Sequence, residues 1–471
     1  MHGDRHYGSD GEADVVDGGH MSEAAFYVGL DWGTERHAIC VTRANGSVVK
    51  ERFVPNDATA LLVIADLIEG AKPSAVFIGV ETPRLPIIDA LMAREYRVFS
   101  INPKQSDHFR QAESASGAAD DRRDAKVIAT SLRTHAHCFD AVEPEGSELR
   151  DLRAAMKANH VVDKMFRQVA NRLSAVVLEA VPTIAPLCFG AQDPWYWDLV
   201  LKVLGSKRCD ISDHVVAGIL KKHRMRRAIE DVRRVLDVPR LHTADGVREG
   251  AYFRAQLLVE QLRLLRKEQK LIDARRDAAL NALPKGDGGK SDAEIIMTMP
   301  GVGPFVASTL VVDAHHAIAR RNLKQLRCLC GVAPVTRSTG KQEQRQEKRR
   351  ARGKTNERKE KWWREQQEKP VHMRYAASLR LRNAMHYAAA TAARHPDFAP
   401  YYVTQRERGR SHARAARAVG DRMLTRLVAM LRDRTAYRPR NPPIPSSSAV
   451  EPITSSDADA QSASQAVDVT A

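Results

Sequence analysis

Asp120-Asp121-Arg122-Arg123-Asp124-Ala125-Lys126-Val127-Ile128-Ala129 is the stretch from which the rest of the chain is read. From Val127 it runs on as an apolar helix, which puts Asp121 and Asp124 three apart on the first turn. Residues at i and i+3 share a helix face, so this spacing aims two carboxylates at one point. Acidic residues also favour helix N-termini because the macrodipole suits them there, and that reading alone would account for the pair. Two further acids give it a chemical alternative. Asp31 closes the apolar run Phe26-Tyr27-Val28-Gly29-Leu30, and Glu81 closes Ala75-Val76-Phe77-Ile78-Gly79-Val80 in the same way. An acid at the end of a buried strand is costly unless paired or bound to a metal. Two strands and one Asp-x-x-Asp helix thus offer four carboxylates, hard oxygen donors of the kind that suit Mg²⁺ or Mn²⁺. Two such ions about 3.5–4 Å apart can stabilise both the attacking and the leaving oxygen of a phosphodiester.

The order of these pieces resembles the insertion-sequence transposases of the IS one-ten family, which carry a RuvC-like N-terminal domain. The matching stretches are Val28-Gly29-Leu30-Asp31, Ile78-Gly79-Val80-Glu81-Thr82, Ile101-Asn102-Pro103 and Asp121-Arg122-Arg123-Asp124-Ala125. Further on come Met299-Pro300-Gly301-Val302-Gly303-Pro304 and Cys330-Gly331-Val332-Ala333-Pro334-Val335-Thr336. The resemblance implies that Asp31, Glu81, Asp121 and Asp124 form a DEDD tetrad, both the metal ligands and the catalytic acids. It also implies a nucleophilic serine in a Pro-Val-x-x-x-Ser-Gly context. Here Thr339 stands at that position, directly before Gly340, and Ser338 lies one residue earlier, so both hydroxyls are candidates. An ordinary Ser-Thr-Gly turn is the plain alternative.

The chain has 471 residues, a formal net charge of +16 and 43% hydrophobic residues. That length suits two or three domains, and the apolar content is ordinary for a globular protein. No run approaches the roughly 18–20 apolar residues of a membrane span. Residues 1–22 read as disordered and unlike a signal peptide, with Met21 a candidate start. So large a basic excess points to a polyanion as partner. The six cysteines are scattered. Cys328-Leu329-Cys330 is too closely spaced for a zinc knuckle, and all six read as reduced thiols of a cytosolic protein.

Residues 23–145 are expected to form one domain: three strands joined by short turns, Asn45-Gly46 among them, then alternating helices and strands. That order fits a ribonuclease H-like (RuvC-like) α/β sheet with helices on its faces, in which the first and fourth strands lie side by side. Residues 104–120, polar and rich in Ala, Ser and Gly, read as a loop. Residues 146–285 read as a helical or coiled-coil region. One helix spans 148–180, and a second spans 249–283 with a heptad of Leu258, Leu262, Leu265, Ile272, Ala279 and Leu283, interrupted by Gln269 and Arg276. They could pair with each other or with another subunit. Residues 187–245 show little pattern beyond an apolar patch and the basic run Lys221–Arg227, which suits either a solvated face or phosphate contacts.

Residues 290–437 are expected to be a mostly α C-terminal domain. Ile295–Met299, Pro-Gly-Val-Gly-Pro and Phe305–Val312 have the pattern of a helix-hairpin-helix element, in which Gly301 and Gly303 let backbone N–H groups approach a phosphate. A plain tight turn would use the same residues. The densest positive charge follows, with Arg337, Lys341, Arg349, Arg350 and Arg352 available to phosphates and Trp362 to an unpaired base. Residues 438–471, without Lys or Arg after Arg440, read as a disordered tail. The whole describes a bacterial DNA transposase or recombinase, cytoplasmic and associated with the nucleoid. What the resemblance adds is assembly as a dimer or tetramer and a structured guide RNA as a further partner. The alternatives are a metal-dependent Holliday-junction-type endonuclease and a non-catalytic nucleic-acid-binding protein.

Overall fold

Strands β1 (Phe26–Asp31), β2 (Arg36–Arg43) and β3 (Val48–Pro55) make an antiparallel meander. The β2–β3 turn is closed by Gly46 at φ 88° and by the Ser47 amide donating to Asn45 Oδ1 at 2.9 Å. Helix α1 (Thr59–Leu67) leads to β4 (Val76–Val80), which pairs parallel to β1. Helix α2 (Pro86–Met92) then crosses to β5 (Arg97–Ser100), parallel to β4. Helices α3 (Pro103–Glu113) and α4 (Asp121–His135) follow, and β6 (Asp140–Ala141) closes the sheet antiparallel to β5. The strand order is β3-β2-β1-β4-β5-β6. This computed structural model describes residues 24–82, 84–113, 120–206, 211–239, 244–333, 335–336, 371–372 and 377–439. It divides into two compact units, one ending at Glu145 and one beginning at Gly146.

Side chains alternate across a strand, and that sorts the first unit's core. Phe26, Val28 and Leu30 pack with Ile64, Leu67, Ile88 and Leu91 on the α1–α2 face. Tyr27, Phe77 and Phe99 meet Ile128 and Leu132 of α4 on the other. Gly29 and Gly79 are register partners on β1 and β4, and both lie under α4. A Cβ on Gly29 would stand 1.8 Å from the Ala125 carbonyl oxygen, and one on Gly79 would stand 2.8 Å from Ile128 Cγ2. The paired glycines therefore make a groove in which the helix rests on bare backbone.

The loop expected over 104–120 is instead helix α3 up to Glu113. Pro103 sits at its first position, where its missing N–H costs nothing and its fixed φ is already helical. The apolar period that would announce a helix is absent because little of α3 is buried. Ser106 is covered and Phe109 partly so, the latter packing on His135 and Phe139.

In the second unit, α5 (Ser147–Ala180) and the later α9 (Asp245–Asn281) are the long elements, with α6 (Pro194–Gly205), α7 (Asp213–Lys222) and α8 (Ile229–Leu236) between them. They run antiparallel: Arg275 donates to Asp151, Gln269 Nε2 donates to Asp163 at 2.8 Å, and Arg254 donates to Glu179. The interruptions of the heptad are thus satisfied, Gln269 across the pair and Arg276 by its own neighbours Asp273 and Asp277. Trp195, Tyr196 and Trp197 are fully buried with the far half of α5 and with α7 and α8, so the weakly patterned segment is helical because its aromatics supply a core. The basic run is partly consumed internally. Lys222 pairs with Asp198 at 2.7 Å, and Arg227 donates to the Leu187 carbonyl and lies over Trp195.

Next come α10 (Asp292–Met297), α11 (Pro304–Asp313), α12 (His315–Ala319) and α13 (Leu323–Leu329). The two-residue strands β7 (Val335–Thr336) and β8 (Val371–His372) pair antiparallel. Helices α14 (Leu379–Ala392), α15 (Ala399–Glu407) and α16 (His412–Arg432) close the chain's described part. Leu149, Leu152 and Met156 of α5 and Leu280 and Leu283 share one core with Leu310, Met385 and Leu427. The segments before and after residue 290 are therefore joined by packing. The described cysteines are free thiols.

Candidate active site

The groove of Gly29 and Gly79 sets α4 against β1 and β4, the elements that carry or lead to the four acids. Asp31 lies two residues beyond Gly29, and Glu81 two beyond Gly79, so both continue the face on which α4 rests. Ala125, the residue whose carbonyl touches the groove, directly follows Asp124. The first turn of α4 is thereby set over the ends of β1 and β4. Its start is defined by Asp120, whose Oδ1 accepts from the Arg122 amide at 3.4 Å, and its two acids sit at the favourable end of the helix dipole.

Electrostatics shows that Asp31 feels the other three acids. The Asp31 carboxyl is pushed up to about 6, first by burial and then by the negative charges of Asp124, Glu81 and Asp121. Desolvation and like charge both disfavour the anion. Arg110 of α3 opposes them. Its Nε donates to Asp124 Oδ1 at 2.7 Å and its Nη1 to Asp107 Oδ1 at 2.9 Å. Burial works against the Arg110 charge, but Asp124, Asp107 and Glu81 outweigh it and raise its pKa. Arg110 is the one site residue that sequence reading missed. Its signal would have been a lone arginine one turn from the end of a helix that was itself read as a loop.

The donor set fits a hard divalent cation in kind: four carboxylates from three rigid elements, each close enough to alter Asp31. As the side chains stand, one Asp124 oxygen is engaged by Arg110. Among the described residues no group of three or more His, Cys, Asp and Glu side chains is placed so that it could hold a metal ion. Trp32, which follows Asp31 in the chain, is 43% exposed.

Two family models match the chain. One, described as a transposase of the DEDD type from IS110, covers residues 28–182 and so contains all four acids and Arg110. The other, described as the transposase IS116/IS110/IS902 family, covers residues 293–359. The chain belongs to the IS110 family of DEDD transposases. The transposase is 29% identical over 209 residues to y4uE of Sinorhizobium fredii, a candidate transposase, with 43% of this chain and 57% of that one aligned. Longer matches join it to two Streptomyces coelicolor proteins. One is the candidate transposase for the mini-circle IS117, 23% identical with 87% and 95% of the chains aligned. The other is a 43.6 kDa protein of insertion element IS110, 24% identical with 89% and 97% aligned.

The remaining sequence candidates fall in two groups. Gly301 and Gly303 lie in the turn between α10 and α11. Gly301, at φ 81°, is pressed against α14, where a Cβ would stand 2.3 Å from the Ala388 carbonyl oxygen. Gly303 is exposed with open space around it at the start of α11. Ser338, Thr339, Arg337, Lys341, Arg349, Arg350, Arg352 and Trp362 lie outside the described residues.

Proposed function

We propose that this transposase cuts and rejoins the DNA of an insertion sequence at the Asp31–Glu81–Asp121–Asp124 cluster, with Ser338 or Thr339 supplying a hydroxyl nucleophile. The observation that carries the reading is the raised pKa of Asp31, which Asp124, Glu81 and Asp121 all push upward. Acids placed only to cap a helix and end two strands have no reason to converge. The strand order, with the acids at the ends of neighbouring parallel strands, supports a ribonuclease H-like reading of the sheet. The tetrad would hold Mg²⁺ or Mn²⁺. A bound divalent cation would neutralise the carboxylates and polarise the phosphate oxygens.

The chain's own residues divide the remaining work. The Gly29–Gly79 groove fixes the spacing of the acids. Arg110 neutralises Asp124 until a ligand competes for that oxygen. Trp32 offers a stacking surface to an unpaired base. Attack by the hydroxyl oxygen would form its bond to phosphorus as the bond to the leaving oxygen breaks, the hydroxyl giving up its proton to water and the leaving oxygen taking one up, which conserves a phosphodiester for rejoining. Gly303 and the start of α11, the basic residues from Lys341 to Arg364, and a structured RNA complete the nucleic-acid part of the reading. On α9 the apolar residues Phe253, Leu257, Leu264 and Leu271 are all exposed. The last three repeat every seven residues, which supports a coiled-coil contact with another copy.

Strand cleavage and joining on the element's own ends, with and without Mg²⁺, tests the proposal. Activity should require the ion and be lost in Asp124→Asn. A suicide substrate should give a denaturant-resistant protein–DNA adduct that disappears in either Ser338→Ala or Thr339→Ala alone. Cleavage without any adduct would replace the hydroxyl mechanism by a water-only endonuclease. DNA binding without cleavage under any condition would leave a binding protein. Neutralising Arg349, Arg350 and Arg352 together should flatten the slope of log K against log salt by roughly two to three units.

A further inference from the structure

Helix α3 docks through two neighbouring side chains that reach opposite ends of α4. Phe109 packs on His135, the last residue of α4, and on Phe139, with ring centroids 5.1 Å and 6.2 Å away. Arg110 reaches the first turn, where its Nε donates to Asp124 Oδ1 at 2.7 Å. Its Nη1 donates to Asp107 Oδ1 at 2.9 Å, one turn back on its own helix. The two acceptors differ in surroundings. The Asp124 side chain is 17% exposed and that of Asp107 57%. Water screens Asp107, so the bond to Asp124 is the one that offsets the cost of desolvating a carboxylate.

The guanidinium is not confined to the far side of Asp124. The Asp31 pKa, raised first by burial and then by the three other acids, is lowered by Arg110. Burial works against the charge of Arg110, which Asp124, Asp107 and then Glu81 support. An outer partner that only orients a metal ligand sits behind that one carboxylate. This arginine is felt by Asp124, by Asp31 at the end of β1 and by Glu81 just beyond β4. With Asp124 turned to it, no three acids among the described residues stand so that they could hold a metal ion. A divalent ion and a guanidinium within about 5 Å of each other repel strongly enough, at an effective dielectric near 20, to cost more than a tenfold step in affinity.

We propose that Arg110 is a positioning residue that takes a divalent cation's place in the ligand-free protein, and that it must leave Asp124 when such an ion binds. Asp107, on the same helix and open to water, keeps the released guanidinium paired. The inference rests on the reading of the tetrad as a Mg²⁺ or Mn²⁺ site and adds what holds that site together beforehand.

The probe is Mn²⁺ alone, its binding to the full chain counted by the loss of the free ion's paramagnetic resonance signal. Arg110→Ala and Arg110→Gln, which remove the charge, should each bind Mn²⁺ at least about tenfold more tightly than wild type. Arg110→Lys, which keeps the charge, should return toward the wild-type affinity. In EDTA both neutral variants should melt below wild type, and saturating Mg²⁺ should close the gap. An arginine that serves only to dock α3 would lower melting equally with and without the ion and leave the Mn²⁺ affinity unmoved, and that result overturns the proposal. Weaker Mn²⁺ binding in the neutral variants also overturns it, because Arg110 would then orient Asp124 for the ion. Lysine behaving as alanine does overturns the exchange of one cation for another. If the alanine variant fails to fold, the glutamine variant, which keeps part of the stem, carries the test. Asp124→Asn, measured alongside, separates the two claims. If wild type binds no Mn²⁺, or if Asp124→Asn binds it equally well, the metal reading fails and the exchange fails with it. If Asp124→Asn loses Mn²⁺ while the Arg110 variants match wild type, the exchange alone fails.

Discussion

Asp31 and Arg417 are both partly buried among charges of their own sign, and the fold answers the two cases differently. In the first unit the answer is internal: Arg110 reaches from α3 and binds Asp124, so a cluster of four acids carries a counter-ion in the same unit. In the second unit Arg417 of α16 stands near Arg414 and Arg382, and burial followed by these two charges lowers its pKa. An acid cluster with its own cation can assemble before any ligand arrives.

The contrast is broken most sharply by Asp31→Asn. Strand cleavage should fall at least about a thousandfold, equivalent to roughly 4 kcal/mol of barrier, while DNA affinity stays near wild type. Affinity falling in parallel with cleavage would mean that the acids hold the fold or the DNA, not the reaction. Next in size is Gly29→Ala. The clash is with backbone, which no rotamer can relieve, so urea denaturation should show a loss of at least about 3 kcal/mol. Gly79→Ala meets side chains and not backbone, Ile128 Cγ2 at 2.8 Å and Ile101 Cδ1 at 3.1 Å, and should cost about 1–2 kcal/mol. Equal losses at the two glycines would show that α4 can shift bodily.

A third measurement takes the second unit's buried acid as the counterpart. Burial raises the Asp198 pKa, but hydrogen bonds from His223, Lys222 and Arg263 overcome it and bring it down to about 2. A folded pKa below the unfolded value of 3.8 stabilises the protein above pH 3.8, and that contribution is lost as pH falls through about 2. Asp198→Asn should therefore be less stable near neutral pH by up to about 2 kcal/mol, with the gap to wild type closing in acid. A gap that persists at low pH would assign the effect to packing. The smallest effect is expected at the α10 capping box, where the Ser291 hydroxyl accepts from the Glu294 amide at 3.1 Å. Ser291→Ala should cost about 1 kcal/mol, read from the denaturation midpoint.

Much of the first unit was legible because its signals are local. Apolar runs ended by Asp31 and Glu81 mark strands, and Asp121 and Asp124 mark a helix start, each within about ten residues. Arg110 was not legible. The polar composition around it gave no period, and its partner Asp124 lies on the next helix, beyond a Gly/Ala/Ser stretch. In the second unit the long helices showed their apolar periods, the second as a heptad, but the hydrogen bond of Gln269 to Asp163 spans 106 residues. The proximity of Arg382, His386 and Arg417 was hidden for the same reason. Arg382 and His386 are neighbours by helical spacing, whereas Arg417 joins them only through the packing of α14 on α16. The aromatic run Trp195–Trp197 showed an apolar patch but not what it covers.

The seat of α4 on Gly29 also bears on how little freedom the candidate site keeps. Because the helix and strand meet at Gly29 through main-chain atoms, no side-chain hop at that point can change their separation. The two aspartates of α4 are then uncertain only through their own two torsions each, against three for a glutamate. Three of the four acids are aspartates, so most of the ordering entropy of this site is spent when the sheet and helix dock, before any ligand binds.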